Sequence, residues 1–340
     1  MKIALDVAGG DYAPHELVKG ALKAVQEYGV EIILVGRKNV IRKLAEKALS
    51  RTGITIVDAK QVIDFNEHPI KAIQKKPNSS IVVGINLVKS GDAGAFVSAG
   101  NTGAVVGAAL LALGKAKGVR RPAIGAFLDT LSSKPALLVD AGANSDCRPE
   151  HLLEFARLGS LYSKYLLKIA SPRVGLLSNG VEEGKGNRLM QETYQLLKEA
   201  KNINFIGNIE GHAIARKTVD VIVTDGFTGN IVLKTIEGFN DNFLNSVKEL
   251  GHVISSASRL RARDLLRDIG LGSWTKKMDY SEYGGACLLG VNGNVIIAHG
   301  RSQAKAIKNA IGLARETIEL SITAKDREEK YEPASGNKCS

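Results

Sequence analysis

The chain lacks any long hydrophobic run. No apolar stretch in its 340 residues approaches the roughly 18 that a membrane-spanning helix requires. The opening MKIALDVAGGD reaches Asp6 too soon for the apolar core of a signal peptide, so a cytoplasmic enzyme is expected. Aromatic residues are scarce, at 5% against 44% hydrophobic, and there is neither a fixed-period repeat nor a low-complexity linker. Cysteine is nearly absent: Cys147, Cys287 and Cys339 are odd in number and far apart, which suits free thiols in a reducing compartment better than a disulfide framework.

Several catalytic signatures are missing as well. No GxGxxG follows the first apolar run; Ala8-Gly9-Gly10-Asp11 has the wrong spacing and puts an acid where a pyrophosphate would sit, which argues against a nicotinamide cofactor. Gly180 to Gly186 imitates a P-loop, but Lys185 is followed by Gly186 rather than Ser or Thr. His15-Glu16 has no second histidine four residues on, the six histidines are scattered, and no zinc spacing exists, so no metal site is expected. GxSxG is absent, which removes a serine-hydrolase elbow. No cofactor is expected.

What the chain does have is glycine and a rhythm. Its 36 glycines are spread along the length, and β-branched runs alternate with helical spacing: Ile3–Leu5 with 15–28, Ile32–Val35 with 40–49, Ala95–Val97 with 102–113, Leu137–Val139 with 150–166, Val174–Leu177 with 188–199, Val219–Val223 with a helix from near Asn230, and Val295–Ile297 with 303–320. Ser79 or Ser80 is placed to cap a helix over 80–89. Such alternation predicts a three-layer α/β/α unit with a mostly parallel sheet over 1–325, its two lobes flanking a cleft, and a flexible tail over 326–340. Residues 240–277 break the rhythm as a helical arm. From His252 to Lys277 six Lys/Arg stand against two acids with leucines, Ile269 and Trp274 interleaved, a pattern that suits either a dimer contact or a membrane surface. The net charge of +11 is compatible with nucleic acid, anionic lipid, or an acidic protein or phosphate ligand, and selects none of them.

Chemistry concentrates where apolar runs stop. In VDVIVTDGFTGN at 219–230 the β-branched run ends at Asp225 and opens into a glycine-punctuated loop; Ala95–Gly103, Ala136–Asn144 and Val174–Asn187 follow the same grammar, and the four are read as sharing one cleft beyond the strands' carboxyl ends. In Ser98–Gly103, Gly100 and Gly103 permit close backbone approach while Asn101 and Thr102 offer donors at a positive helix end; an ordinary capped turn is the alternative. Asp225, Gly226, Thr228 and Asn230 repeat that design, with Asp225 as ligand or capping carboxylate and Asn230 as site amide or N-cap. Lys185 is bracketed by Gly184 and Gly186, where a cation can meet a phosphate. Asp11, Asp140 and Asn144 either join the site or brace its loops, and His299 either faces an anion or bonds a helix start. Cys287, in an apolar setting, is an inert core residue or a nucleophile.

Taken together, DVAGGDYAP at 6–14, SAGNTGA at 98–104, RPA at 121–123, DAGANSD at 140–146, EGKGN at 183–187, TDGFTGN at 224–230, LKTIEG at 233–238, YGGACLLG at 283–290 and HGRS at 299–302 resemble the bacterial phosphate acyltransferase family PlsX over about residues 1–320. Ala8 departs from the methionine usual there, and His212 from an acid. The resemblance implies conversion of acyl-[acyl carrier protein] and inorganic phosphate to acyl phosphate for phospholipid synthesis, without nucleic acid as a partner. It also implies an isopropylmalate-dehydrogenase-like fold, a homodimer with peripheral membrane contact, for which the basic segment 252–277 is the candidate surface, and functional roles for Lys185 and Asn230. Phosphate is itself a nucleophile and a thiol of pKa about 8.5 leaves readily. The expected mechanism is therefore direct attack, with Lys185 on phosphate and Asn230, together with Asn101, donating to the oxyanion. The rivals are an acyl-Cys287 intermediate and a membrane-docked carrier-binding scaffold without turnover.

Overall fold

A computed structural model describes residues 1–49, 53–130, 134–257 and 283–320. Eleven strands form one sheet in the order β3-β2-β1-β4-β11-β10-β5-β6-β9-β7-β8. They are β1 (Lys2–Asp6), β2 (Glu31–Gly36), β3 (Ile54–Asp58), β4 (Ala95–Ser98), β5 (Ala123–Leu128), β6 (Ala136–Val139), β7 (Arg173–Leu177), β8 (Asn204–Ile209), β9 (Val221–Val223), β10 (Ala286–Leu289) and β11 (Asn294–Ile297). The helices are α1 (His15–Tyr28), α2 (Lys38–Leu49), α3 (Pro69–Lys75), α4 (Ser80–Ser90), α5 (Thr102–Ala112), α6 (Pro149–Leu166), α7 (Arg188–Glu199), α8 (Gly226–Ala257) and α9 (Ala304–Glu319).

Alternation along each strand splits the core in two. Ile3 and Leu5 of β1 join residues of α1, α2, α6, α7 and α9 on one face. Ala4 joins residues of α3, α4, α5 and α8 on the other. The three-layer α/β/α architecture expected from the sequence is present.

The sheet changes sense at its centre. β3, β2, β1, β4 and β11 are mutually parallel, and so are β6, β9, β7 and β8. The contacts β11–β10, β10–β5 and β5–β6 between them are all antiparallel. Three reversals set the two parallel halves running in opposite directions, so their carboxyl ends emerge at opposite edges. The four loops expected to share one cleft are divided between the two edges: the loop after β4 lies at one, and those after β6, β7 and β9 lie at the other. β5, β8 and β10 carry Gly125, Gly207 or short AC-rich sequence, which weakens the strand signal.

Helix α8 begins at Gly226, earlier than the expected start near Asn230. Its first turn seats directly on the loop after β6, where a methyl on Gly226 would meet the Asp140 carboxylate at 2.7 Å and one on Gly229 would overlap the Asp140 carbonyl. Only glycine at both positions allows this approach. The helix continues to Ala257; the remainder of the expected arm, and the tail over 326–340, lie outside the described residues.

Candidate active site

Between α5 and α8, over the face of the central strands, lies a cavity of about 480 Å³. Its floor is apolar: Ile124, Ala126 and Leu128 of β5 point into it on alternate positions, with Ile297 of β11 beside them. One end carries Gly100, Thr102 and Gly103 at the start of α5 together with Asp11, His299 and Arg301. Ala141, Gly142 and Asn230 form the other. Loops from both edges of the sheet thus meet along one trough, each at its own end.

The end beside α5 is built by carboxylate–loop bonding. Asp6 Oδ1 accepts the Ala8 and Gly9 N–H groups at 2.9 and 3.1 Å, and Oδ2 accepts the Ser98 hydroxyl, which itself accepts the Gly100 N–H. Burial raises the Asp6 carboxyl against these bonds. Asp11 donates its N–H to the Gly300 carbonyl, joining the loops after β1 and β11. Asn101 is wholly occupied: its Oδ1 caps α5 by accepting Ala104 N–H, and its Nδ2 is shared among the carbonyls of Asp64, Phe65 and Glu67. It is absent from the cavity lining, so the expectation of an Asn101 oxyanion donor is corrected.

At the opposite end, Asp140 is the organiser. Its Oδ1 accepts N–H from Ile124, Gly142 and Ala143, and its Oδ2 accepts the backbone and side-chain N–H of Asn144. Burial pushes this carboxyl up while the donors oppose it. Asn144 also donates to the Pro122 carbonyl, so Asp140 and Asn144 brace the loop and neither lines the cavity. Asp225 accepts the Thr228 N–H and hydroxyl at 2.9 and 2.8 Å, capping α8. Asp225, Gly226 and Thr228 therefore set the helix start rather than the cavity wall. Asn230, one turn on, is exposed in the cavity with its Nδ2 beside Gly142.

Lys185 lies outside this cavity lining. Its loop follows β7, which pairs with β9 in parallel register, so it emerges at the same sheet edge as Asp225. The backbone there is tied down: Gly186 N–H donates to Asn179 Oδ1, Gln191 Nε2 donates to the Gly184 and Gly186 carbonyls, and the exposed Lys185 chain packs on Gly180.

A cation that does share the cavity with Asn230 is Lys234, four residues along α8, which sequence reading missed. Its Nζ donates to Glu237 at 2.9 Å and contacts His299 Nε2, while His299 Nε2 lies 3.0 Å from the same Glu237 oxygen and His299 Nδ1 accepts the Arg301 N–H. Burial raises Glu237, but bonds from His299 and Lys234 outweigh it and hold the carboxyl below its usual range. The signal available in sequence was the LKTIEG spacing, which places Lys234 and Glu237 on one helix face.

Cys287 belongs to the opposite face. Its side chain is buried in the α1/α6/α9 layer, and burial drives its thiol well above the ordinary value. Burial likewise pushes Cys147 up to about 12. Neither is a poised thiolate. Among the described residues no cluster of metal-ligating side chains occurs, and no helix is long and apolar enough to cross a membrane.

The family model "Fatty acid synthesis protein" matches residues 1–325. The phosphate acyltransferase of Dehalococcoides mccartyi is 59% identical over 322 residues, covering 95% of this chain and 92% of the relative. That of Dictyoglomus thermophilum is 47% identical over 326 residues, covering 96% of each. Among solved structures, a phosphotransacetylase from Streptococcus pyogenes superposes with a TM-score of 0.59 at 20% identity, over 96% of this chain and 94% of that one. The 4-hydroxythreonine-4-phosphate dehydrogenase of Klebsiella pneumoniae gives 0.52 at 11%, over 93% and 99%. These two likenesses establish the fold.

Proposed function

The chain belongs to the fatty acid synthesis protein family, and from that premise we propose that it makes acyl phosphate from acyl-[acyl carrier protein] and inorganic phosphate, feeding phospholipid synthesis. The observation carrying this reading is Asn230. An amide with no bond to a described residue stands at the end of an apolar trough, on a helix seated by two glycines. That is what an oxyanion donor requires: a fixed backbone and an unspent N–H.

A phosphate oxygen attacks the thioester carbon, the carbonyl oxygen gathers charge against Asn230 Nδ2, and the C–S bond breaks to release the carrier's thiolate, which takes a proton from water. Lys185 reaches the phosphate from the neighbouring loop at the same edge. Asp11, Gly100, Thr102, Gly103 and His299 line the far end of the trough and contact substrate there. The burial of Cys287 favours direct attack over an acyl-cysteine route.

The working unit is a homodimer. Phe227, Ile231 and Phe239 stand exposed four and then eight residues apart along α8, and Phe239 stacks on Phe243. A second copy of that stripe covers it, with the basic segment 252–277 left for peripheral membrane contact at a cytoplasmic location.

Incubation of the protein with a fatty-acyl carrier protein and phosphate, with hydroxylamine trapping of product, tests the function. Phosphate-dependent acyl hydroxamate is expected, and its absence defeats the proposal. Lys185→Ala and Asn230→Ala should each lower turnover about 100 to 1,000-fold; wild-type rates in both would remove the residue assignment while leaving the reaction.

A further inference from the structure

A band of exposed cations borders the sheet edge at which Asn230 stands. Lys115, Lys117, Arg120 and Arg121 lie between α5 and β5, and Arg148 immediately precedes α6. β5 is antiparallel to β6, so its amino end and the loop after β6 share that edge. Hydrogen bonds tie the band to α8: Asn144 donates to the Pro122 carbonyl at 2.8 Å, and the Asn144 carbonyl accepts the Gly226 N–H. Arg121 therefore stands one residue from a strap that ends on the helix carrying Asn230. Lys115 is spent on the Arg120 carbonyl, and Arg120 faces the buried Glu154 at 3.4 Å. The side chains of Lys117, Arg121 and Arg148 have no hydrogen-bond or ion-pair partner among the described residues. Arg121, Arg148 and Arg120 converge on one ring: after burial itself, their charges hold His151 below its ordinary value, against the opposing Glu150.

Away from Asn230 the trough has a different balance, with Asp11, Asp129 and Glu237 against Lys234 and Arg301. The rim beside Asn230 is the cationic one, and the exposed Lys185 stands on the same edge. β5, β6, β9 and β7 are successive neighbours, so Arg121 and the Lys185 loop are three strand spacings apart, about 14 Å. That width admits one helix of a partner, about 10–12 Å across with its side chains. It is too broad for a single small anion to bridge. A lipid-binding surface interleaves large apolar side chains with its cations. Within 115–121 and 146–150 none is exposed, so the band suits an acidic protein.

We propose that the acyl carrier protein docks on this band, its acidic surface against Lys117, Arg121 and Arg148, and delivers its thioester to Asn230 from that rim. This rests on the acyl carrier reading above. The three side chains face solvent with their donors unspent, so engaging them breaks no internal bond, and a concentrated positive face steers an acidic partner into place.

The test compares wild type with Arg121→Glu/Arg148→Glu and with a control, Arg37→Glu/Lys60→Glu, which makes the same change of charge at exposed positions after β2 and β3, on the opposite edge. The first variant is expected to raise the Michaelis constant for acyl carrier protein about 10-fold or more and to flatten its dependence on ionic strength. Its constant for inorganic phosphate and its kcat should stay within about 2-fold, and thermal unfolding checks that it is folded. Arg121→Ala/Arg148→Ala should act in the same direction by less. An unchanged constant for acyl carrier protein, or an equal rise in the control, overturns the proposal. So does loss of binding to phosphatidylglycerol vesicles with the carrier constant unmoved, which would assign the band to lipid. If wild type makes no acyl phosphate, the function has failed; docking is then read by titrating carrier protein against wild type and variant, where equal affinity overturns it.

Discussion

Gly142 lies beside Asn230: a methyl on Gly142 would stand 3.1 Å from Asn230 Nδ2, and Gly142 itself sits at φ +139°. The loop braced by Asp140 therefore sets where the amide points. Gly142→Ala is expected to lower kcat at least about 10-fold through displacement of Asn230 and backbone strain. Steady-state kinetics alongside thermal unfolding checks this; unaltered kcat in a folded variant would show that the contact is incidental.

The Asp140 carboxylate accepts five N–H bonds and donates none. Asp140→Asn places an NH₂ among donors, and a loss of about 3 kcal/mol or more is expected, read as a fall in the denaturant midpoint. A variant as stable as wild type contradicts the bracing role.

Asn101 illustrates how far sequence could reach. SAGNTG was legible as a strand–loop–helix junction, and the cap on α5 is there, but the three carbonyls that consume the Asn101 amide arrive from 64–67, over 30 residues away in the chain. No local pattern announces them. Asn101→Ala should cost about 1–2 kcal/mol in unfolding free energy with less effect on kcat than Asn230→Ala. The opposite ranking would return Asn101 to the chemistry. The same distance problem hid the antiparallel centre: Gly125 weakens the apolar pattern of β5, and the strand–helix alternation elsewhere predicted a mostly parallel sheet without saying where it reverses. Lys234 was overlooked because its importance depends on His299, 65 residues on.

Glu237 links acidity to the trough. Its folded-state value lies below the ordinary one, so the unfolded chain binds the proton more readily as pH falls. The stability it contributes is complete above the ordinary glutamate value of about 4.3 and is lost as pH drops through the depressed one. The stability gap between wild type and Glu237→Gln is expected to hold steady above about pH 5 and to close below about 4.3. Urea unfolding across that range measures it; a gap independent of pH would mean that the carboxylate's charge is immaterial.

Cys287→Ala should retain kcat within about 2-fold, because the thiol faces the layer away from the trough. Single-exponential product formation without a burst supports this. Loss of activity with an intact fold would reinstate a covalent route.

The reversal at the centre of the sheet has one more effect. Because the two ends of the trough belong to opposite edges, the gap between them is set by hydrogen-bonded strands and not by any loop. Insertions at either rim leave that spacing alone, so relatives are free to diversify what they grip at each extremity while the interval separating the grips stays constant.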